Sequence, residues 1–419
     1  AAVLSGEPAH GRPSSTCVMV IMAPASHAAG DRGPGAGSTG RVGQVKGEDM
    51  HVGYTATFQN PFDALDDAEV YRQELRLAEM AEPLGFDSIW SVEHHFTDYT
   101  MCPDVLQFLS YMAAKTTRAR LGSMVVVLPW HDPVRVTEQI ALLDHLSGGR
   151  LILGLGRGLA RIEYEGLRID QNEGRQRFLE HAELVLTALE HGYIEGGKTL
   201  KQPRRDIRPH PLRSFRGRTY AAAVSPESMP IMAQLGVGLL IIPQKPWDVV
   251  EKDLATYHQV YQEVNGTEAP PPLCASFCFV DEHADRAEEM AYKYIAGYYQ
   301  TAMQHYEMTA DHFGTHQGYE FYRKVGHYIG RHGQDGAARD FAQLMPWGTP
   351  DQVIDKLATI RKMIGMNGLI CHFSYAGMPY DETERNMRCF VDRVLPELKK
   401  WDTPPLCEPE LLAVSVASS

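Results

Sequence analysis

Eight apolar runs rich in β-branched residues alternate along this chain with segments of helical periodicity, and this alternation restricts the fold more than any other feature. The runs occupy residues 51–58, 86–92, 119–128, 150–156, 218–224, 238–243, 273–280 and 367–376. Near-continuous apolar strands that alternate with amphipathic helices are typical of a parallel sheet covered by helices. Eight repeats predict an α/β fold of the (β/α)8 type, a closed TIM barrel. A doubly wound sheet with an appended domain is the alternative.

The segments between the runs contain helix signals and two long connections. The clearest helix is expected to begin after Thr349 as its N-cap, with Gln352 completing a capping box, and to end at Gly365. The connections after the fourth strand, 157–217, and after the seventh, 281–366, are longer than a barrel needs. Insertions of this length usually form lids or binding loops, although they can also serve only as surface or subunit contacts.

Composition excludes several classes of protein. The chain has 419 residues, of which 44% are hydrophobic, and this is enough for one large barrel domain. Its 40 basic and 53 acidic side chains give a net charge of -13 without a basic cluster, so nucleic acid is not an expected partner. Seven cysteines without a Cys-x-x-Cys pair indicate a reducing compartment, and we expect a cytoplasmic protein.

The two ends of the chain differ in composition from the part between them. Residues 1–49, rich in Gly, Ala, Ser and Pro, are predicted to be a disordered extension, residues 50–400 the barrel domain, and residues 401–419 a flexible tail. The apolar run at 17–25 is too short to span a membrane, although it has the length of a short signal-peptide core. Met50, at the head of the first strand, is a candidate natural start, and no membrane association is expected.

Two adjacent histidines, His94 and His95, follow the second predicted strand. They lie at the carboxyl end of that strand, on the face where the active sites of such barrels form. Because consecutive side chains of an extended strand point in opposite directions, the two are not expected to reach one metal ion together unless the chain turns there. An arrangement without a function, with one histidine packed in the wall and the other exposed, is the alternative. An imidazole at the mouth can act as an acid, a base or a hydrogen-bond donor. No His-x-His pair occurs at the other strand ends, so no metal site is predicted.

Two further segments suit a phosphate group. In "GLGRG", at the end of the fourth strand, Arg157 lies between two glycines and offers a fork of donors, although a surface arginine beside a turn is the alternative. In "VSPES", after the fifth strand, Ser225 is predicted as N-cap and Ser228 as the third residue of a helix, where free amides and two hydroxyls suit an anion. Ordinary capping explains Ser225 equally well, and Glu227 would repel a phosphate unless it points outward. Together the segments predict a phosphate-bearing cofactor at the barrel mouth, with its ring towards the histidine pair.

Three segments, "SIWSVEHHFTD", "VVVLPWHDPVRVTEQIALLDHLSGGRLILGLGRGL" and "VSPES", resemble the bacterial luciferase-like family of flavin-dependent monooxygenases. The resemblance covers roughly Met50 to Leu398, with the motifs in the family's order. It implies a (β/α)8 barrel that binds reduced flavin mononucleotide (FMN) without a covalent bond, lets it react with dioxygen and holds the resulting C4a-peroxyflavin near a substrate. Because no nicotinamide-binding fingerprint is present, a separate flavin reductase is expected to supply the reduced FMN. Relatives are often homodimers that pack helices early in the barrel, so a homodimer is expected.

Carried over residue by residue, the resemblance implies a catalytic histidine with a neighbour of lesser importance, an arginine and two hydroxyl residues on the flavin phosphate, and a non-prolyl cis peptide against the flavin ring. In this chain these positions are, in the same order, His94, His95, Arg157, Ser225, Ser228 and the pair Met124 and Val125. Gly156 and Ala160 depart from the cysteine and tyrosine of the luciferases proper. The pocket is therefore expected to differ in shape, and light emission from a long-chain aldehyde is not expected.

The expected reaction is the oxygenation of a small, apolar organic substrate by O2 and reduced FMN, under a lid formed by the insertion between the seventh and eighth strands. An oxidoreductase that uses the deazaflavin F420 is the alternative within the same fold, although the histidine pair with "VSPES" favours FMN. A non-catalytic flavin-binding protein is a further alternative, against which the presence of His94 and Arg157 argues. A metal-dependent barrel hydrolase is the least expected.

Overall fold

The computed structural model describes residues 48–310, 313, 318–404 and 406. Eight strands pair in parallel, each with the next along the chain, and the eighth pairs with the first. Because a doubly wound sheet would be open, this closure excludes that alternative and confirms the predicted (β/α)8 barrel. The strands are β1 (His51–Ala56), β2 (Ser88–Ser91), β3 (Arg120–Ser123), β4 (Leu151–Gly156), β5 (Thr219–Ala222), β6 (Gly238–Ile241), β7 (Leu273–Phe277) and β8 (Gly368–His372).

Helices lie outside the barrel and turn their apolar stripes towards it. The helix Pro350–Ile364 has the predicted start, because Thr349 and Gln352 form a capping box, and Gly365 ends it in a left-handed conformation. The other helices of this layer are Asp67–Ala81, Val105–Lys115, Pro133–Leu146, Gly174–His191, Ser228–Gln234, Trp247–Asn265, Tyr380–Arg393 and the short Leu395–Leu398.

Strand residues alternate between the barrel interior and the helix layer. Val52 and Tyr54 of β1 belong to the large core beneath the helices, whereas Gly53 between them faces Trp90 of β2. A Cβ atom would lie 2.7 Å from Trp90 Nε1 at Gly53 and 2.2 Å from the Trp90 ring at Gly122. Trp90 therefore fills the barrel interior, and glycines on both neighbouring strands make room for it.

Both predicted insertions contain structure of their own. The insertion after β7 has a separate apolar cluster that includes Phe277, Tyr299 and Phe341, so it packs as a unit against the end of β7. The insertion after β4 contains the helix Arg161–Gly166, a 3-10 turn at Gln171–Glu173 and a hairpin of Tyr193–Gly196 and Gln202–Asp206. The insertion after β7 contains the helices Ala284–Met290, Ala296–His305 and Glu320–Leu344, with a π-helical turn at Ala291–Ile295. The structure also contains short strands at Val126–Val127, Phe279–Val280 and Trp347–Gly348 and 3-10 turns at Pro61–Asp63 and Leu128–Trp130.

Near the chain ends, Glu48–Asp49 pairs antiparallel with Asp402–Thr403. This pairing joins the last two residues of the predicted extension to the beginning of the predicted tail. Residues 1–47, 405 and 407–419 lie outside the described residues, so disorder at the two ends stays a prediction. Within the described ranges, no helix is both long and apolar enough to cross a membrane.

Candidate active site

One cavity opens at the carboxyl ends of the barrel strands, the face predicted to carry the site. Segments that follow β2, β3, β4 and β5 line it together with the insertion after β7. His95 is not among the lining residues. The fold thus brings six of the seven predicted side chains to one cavity, namely His94, Met124, Val125, Arg157, Ser225 and Ser228.

The peptide bond between Met124 and Val125 forms part of the cavity wall and is cis, as predicted. Val125 lies against Gly156, where an added Cβ atom would come within 2.2 Å of Val125 Cγ2. Gly158 has a φ of +79°, and a Cβ atom there would lie 2.8 Å from the Trp130 ring. The glycines on both sides of Arg157 therefore make room for neighbouring side chains. A cysteine at position 156 would require Val125 to move.

Two arginines converge on one carbonyl group in this cavity. Arg157 Nη1 donates to the Gly318 carbonyl oxygen at 3.0 Å, and Arg175 Nη2 donates to the same oxygen at 3.3 Å. The Arg157 guanidinium also lies over the Tyr319 ring, 4.2 Å from its centroid. No carboxylate oxygen of the described residues lies within 4.0 Å of a guanidinium nitrogen of Arg157 or Arg175. The cavity thus holds two positive charges without a bonded carboxylate.

Arg175 was not predicted as a site residue. It lies in the first turn of the helix Gly174–His191 and lines the cavity beside Arg157. The positive end of the helix macrodipole disfavours a cation at that position. A basic residue that lines the cavity from a helix position unfavourable for a cation indicates a binding role.

The two predicted serines face each other across a turn. Ser225 Oγ and Ser228 Oγ lie 2.7 Å apart, and Ser225 is buried. The prediction of Ser225 as a helix N-cap is wrong, because the Ser228 N–H donates to the Ser225 carbonyl oxygen in a tight turn and the helix begins only at Ser228. Glu227 is exposed and does not line the cavity, so its charge is directed away from the two hydroxyls.

His94 is held from two sides by residues distant in the sequence. Its Nδ1 lies 2.9 Å from Glu163 Oε1, and its Nε2 lies 3.3 Å from the hydroxyl of Tyr306, which belongs to the insertion after β7. Burial raises the pKa of Glu163, but the charges and hydrogen bonds of His94 and His305 outweigh it and lower the pKa to about 2. Glu163 is therefore a carboxylate, and it favours the His94 tautomer that carries its proton on Nδ1.

A second imidazole approaches the same carboxylate from the insertion. His305 Nε2 lies 3.5 Å from Glu163 Oε1, and His305 Nδ1 lies 2.9 Å from Thr97 Oγ1. Burial lowers the pKa of His305, and the opposing effect of Glu163 does not reverse this. We call His94, Glu163 and His305 the cavity array. Glu163, His305 and Tyr306 were not predicted as site residues, because their spacing from His94 along the chain contains no local pattern.

His95 belongs to a second arrangement of the same residue types. His95 Nε2 lies 3.5 Å and His131 Nε2 lies 2.6 Å from Glu93 Oε1, and Glu93 Oε2 accepts the Val127 N–H at 2.8 Å. We call His95, Glu93 and His131 the wall array. Its His95 ring packs edge-on against Trp130, and only Glu93 among its members lines the cavity. The structure thus places His94 at the cavity and His95 beside Trp130 in the wall.

Known proteins resemble this chain over most of its length. The sequence model of the luciferase-like monooxygenases matches residues 50–367. The alkanal monooxygenase alpha chain of Photorhabdus luminescens is 26% identical over 352 residues, which are 83% of this chain and 97% of the relative. The oxygenase component of the flavin-dependent trigonelline monooxygenase of Acinetobacter baylyi is 26% identical over 226 residues, 53% of this chain and 63% of the relative. The crystal structure of a monooxygenase from Streptomyces bottropensis aligns with a TM-score of 0.63 at 26% identity, over 83% of this chain and 99% of that one.

Proposed function

Because this chain belongs to the luciferase-like monooxygenase family, we propose that it is an oxidoreductase that uses reduced FMN and O2 to oxygenate a small, apolar organic substrate. The observation that carries the proposal is the single cavity in which His94, the cis peptide after Met124, Arg157 and two serines meet. A bound reduced flavin would supply the electrons and the position at which dioxygen is activated. Binding, orientation and proton transfer are tasks of the chain's own residues.

The donor set around Arg157 fits the phosphate of FMN. Arg157 and Arg175 lack a bonded carboxylate among the described residues, and each guanidinium has further N–H groups besides the one given to Gly318. The hydroxyls of Ser225 and Ser228, now paired with each other, can donate to the same anion. Charge-assisted hydrogen bonds of this kind are stronger than neutral ones, so these four residues would anchor the cofactor.

His94 is the residue that we assign to proton transfer. Glu163 keeps a proton on His94 Nδ1, which leaves Nε2 free to accept one. Burial keeps the pKa of the Tyr306 hydroxyl well above its usual value, so this hydroxyl donates to Nε2 at neutral pH. His94 can therefore take up a proton at Nε2 and return it while its ring stays fixed by Glu163.

The rest of the cavity suits an apolar substrate. Aliphatic and aromatic side chains make up much of the remaining lining, and several of them come from the insertion after β7. A cover of this kind keeps water away from a reactive flavin and from the proton on His94. The apolar lining includes Val92, Ile242, Phe277, Tyr298 and Tyr322.

Three further parts of the proposal concern the surroundings of the enzyme. A separate reductase as the source of reduced FMN is supported by the relative that is an oxygenase component. A cytoplasmic location is supported by the five described cysteines, all of which are free. A homodimer is supported by the exposed Leu142 and Leu146 on the helix Pro133–Leu146.

The test is an anaerobic titration of the purified protein with reduced FMN, reduced riboflavin and reduced F420, followed by O2. Arg157→Ala is expected to weaken binding of FMN by roughly 10- to 100-fold and to leave riboflavin binding unchanged, because the phosphate is the only part of the cofactor that the arginine is proposed to contact. Arg168→Ala, an exposed arginine of the same insertion, is the matched control and should bind FMN normally. A folded protein that binds none of the three would contradict the proposal, and a preference for F420 would replace FMN by that cofactor.

A further inference from the structure

We propose that His94, Glu163 and His305 form a binding site for one divalent transition-metal ion, of the class to which Zn²⁺ belongs. Each side chain offers one ligand atom, and these atoms lie within 4.8 Å of one another. The proposal does not depend on flavin binding. It concerns the cavity array in the flavin-free protein.

The spacing of the ligand atoms matches that around a single ion. Glu163 Oε1 lies 2.9 Å from His94 Nδ1 and 3.5 Å from His305 Nε2. Zinc binds imidazole nitrogen and carboxylate oxygen at about 2.0–2.2 Å, so two ligands at the tetrahedral angle are about 3.4 Å apart. Only small movements of these side chains would be needed to admit the ion.

Two atoms of the array are free to bind an ion. Glu163 Oε2 and His305 Nε2 are buried and have no hydrogen-bond partner among the described residues. Buried polar atoms are nearly always paired, so two unpaired ligand atoms within one cluster of two imidazoles and a carboxylate call for a cation there. The 2.9 Å contact of His305 Nδ1 with Thr97 Oγ1 is the kind of outer hydrogen bond that orients a ligating histidine.

The ligand types restrict the metal. Two imidazoles and one carboxylate suit zinc and its neighbours, whereas Mg²⁺ prefers oxygen ligands in an octahedral arrangement. Three protein ligands also leave a fourth position for water. Because His94 and Glu163 line the cavity, an ion and its water can enter from that side.

A bound ion would join three separate segments: the loop after β2, the helix Arg161–Gly166 and the insertion after β7. Since it binds only the folded arrangement, it raises the unfolding temperature. The ion would also bind His94 Nδ1, the nitrogen that lies next to Glu163 in the flavin-free protein. On the proposed function, the ion would therefore inhibit oxygenation.

The test uses the untagged, flavin-free chain and Zn²⁺ as the probe, with equilibrium dialysis and thermal unfolding as readouts. We expect one bound Zn²⁺ ion per chain and a rise in unfolding temperature with Zn²⁺ but not with Mg²⁺. When Co²⁺ replaces Zn²⁺, the visible absorption bands of a four-coordinate ion should appear. Glu163→Gln and His305→Ala should each weaken Zn²⁺ binding by at least about 10-fold. Glu93→Gln, the equivalent change in the wall array, should bind Zn²⁺ like the wild type.

Equal Zn²⁺ affinity of wild type and a folded His305→Ala would overturn the proposal, as would no binding by the folded wild type. His305→Ala decides the question if Glu163→Gln does not fold. The outcome is separable from the flavin titration. Zinc binding without FMN binding would support the metal site and contradict the proposed function. FMN binding without zinc binding would support the proposed function and contradict the metal site.

Discussion

The cavity array and the wall array are built from the same residue types, one glutamate between two histidines, but they differ in what they join. The wall array links the loops after the neighbouring strands β2 and β3, and Glu93 also accepts the backbone N–H of Val127. The cavity array links segments after β2, β4 and β7, and one polar atom each of Glu163 and His305 has no partner in the described part of the chain. Because both Glu93 oxygens accept hydrogen bonds, the wall array is a structural cross-link, whereas unpaired atoms beside a cavity leave the cavity array available for chemistry.

Distance explains the electrostatic difference between the arrays. Burial lowers the pKa of both His131 and His305. For His131 the hydrogen bond that it donates to Glu93, at 2.6 Å, acts together with the charges of Glu93 and Asp104, and their sum outweighs burial, so the net pKa is raised. For His305 the carboxylate lies 3.5 Å away and burial prevails. The closer carboxylate thus raises the pKa of its histidine more, and the neighbouring His94 adds to the lowering at His305.

The largest effect is expected for the two adjacent histidines. If proton transfer depends on the cavity array, His94→Ala should lower the turnover number by roughly 10²- to 10⁴-fold, the usual contribution of a general acid or base. His95→Ala should lower it by less than about 10-fold. Turnover with reduced FMN supplied by a reductase is the measurement. Equal losses for the two variants would show that the arrays do not differ in this way.

The next effect is on stability and belongs to the wall array. Glu93→Gln weakens the acceptor for His131 and Val127 in a buried position, and the free energy of unfolding should fall by about 2–3 kcal/mol. Glu165→Gln, an exposed glutamate on the helix Arg161–Gly166, is the control and should change it by less than about 0.5 kcal/mol. Urea unfolding measures both. If Glu93→Gln is as stable as the control, the wall array is not a structural cross-link.

A smaller effect is expected at the hydroxyl that covers His94. Tyr306→Phe removes the neutral hydrogen bond to His94 Nε2, so turnover should fall by roughly 2- to 10-fold. Tyr299→Phe changes another buried tyrosine of the insertion that does not line the cavity, and it should keep wild-type turnover. The ratio of the two turnover numbers is the result to examine. A ratio near one would remove Tyr306 from the proton-transfer step.

The smallest effect is a change of stability with pH. The folded-state pKa of His131 is raised above 6.5, so its contribution is complete below that pH and is lost as pH rises through the folded-state pKa. Unfolding free energies at pH 6 and pH 8.5 should therefore differ less in His131→Asn than in the wild type. His145→Asn, a surface histidine, serves as the reference. A wild-type pH dependence in His131→Asn would assign the effect to another group.

Local patterns predicted most of the fold. Each strand was visible as an apolar run, and the capping box at Thr349 gave a correct helix start. The start after β5 was wrong, because Ser225 closes a tight turn through its carbonyl oxygen before the helix begins at Ser228. A Ser-Pro pair is compatible with both arrangements, and packing against the barrel selects one of them.

Much of the candidate site was predictable because its residues follow directly after the predicted strands. Residues at the carboxyl ends of parallel strands share one face, so the positions of His94, Arg157 and Ser225 followed from the strand count alone. The strand pattern did not choose between His94 and His95, whereas the family resemblance favoured His94, and the structure places only His94 of the two at the cavity. Arg175 required the structure, because its unfavourable place at a helix start is a signal only once the cavity beside it is known.

By itself, the sequence determined that eight strands alternate with helices and which residues end those strands, because periodicity and turn residues act over a few positions. Only the tertiary structure decided which histidine meets which carboxylate. Glu163 lies 69 residues from His94, and His305 comes from an insertion whose packing depends on the finished barrel. Contacts between such distant side chains follow from how whole elements pack, and no local pattern records them.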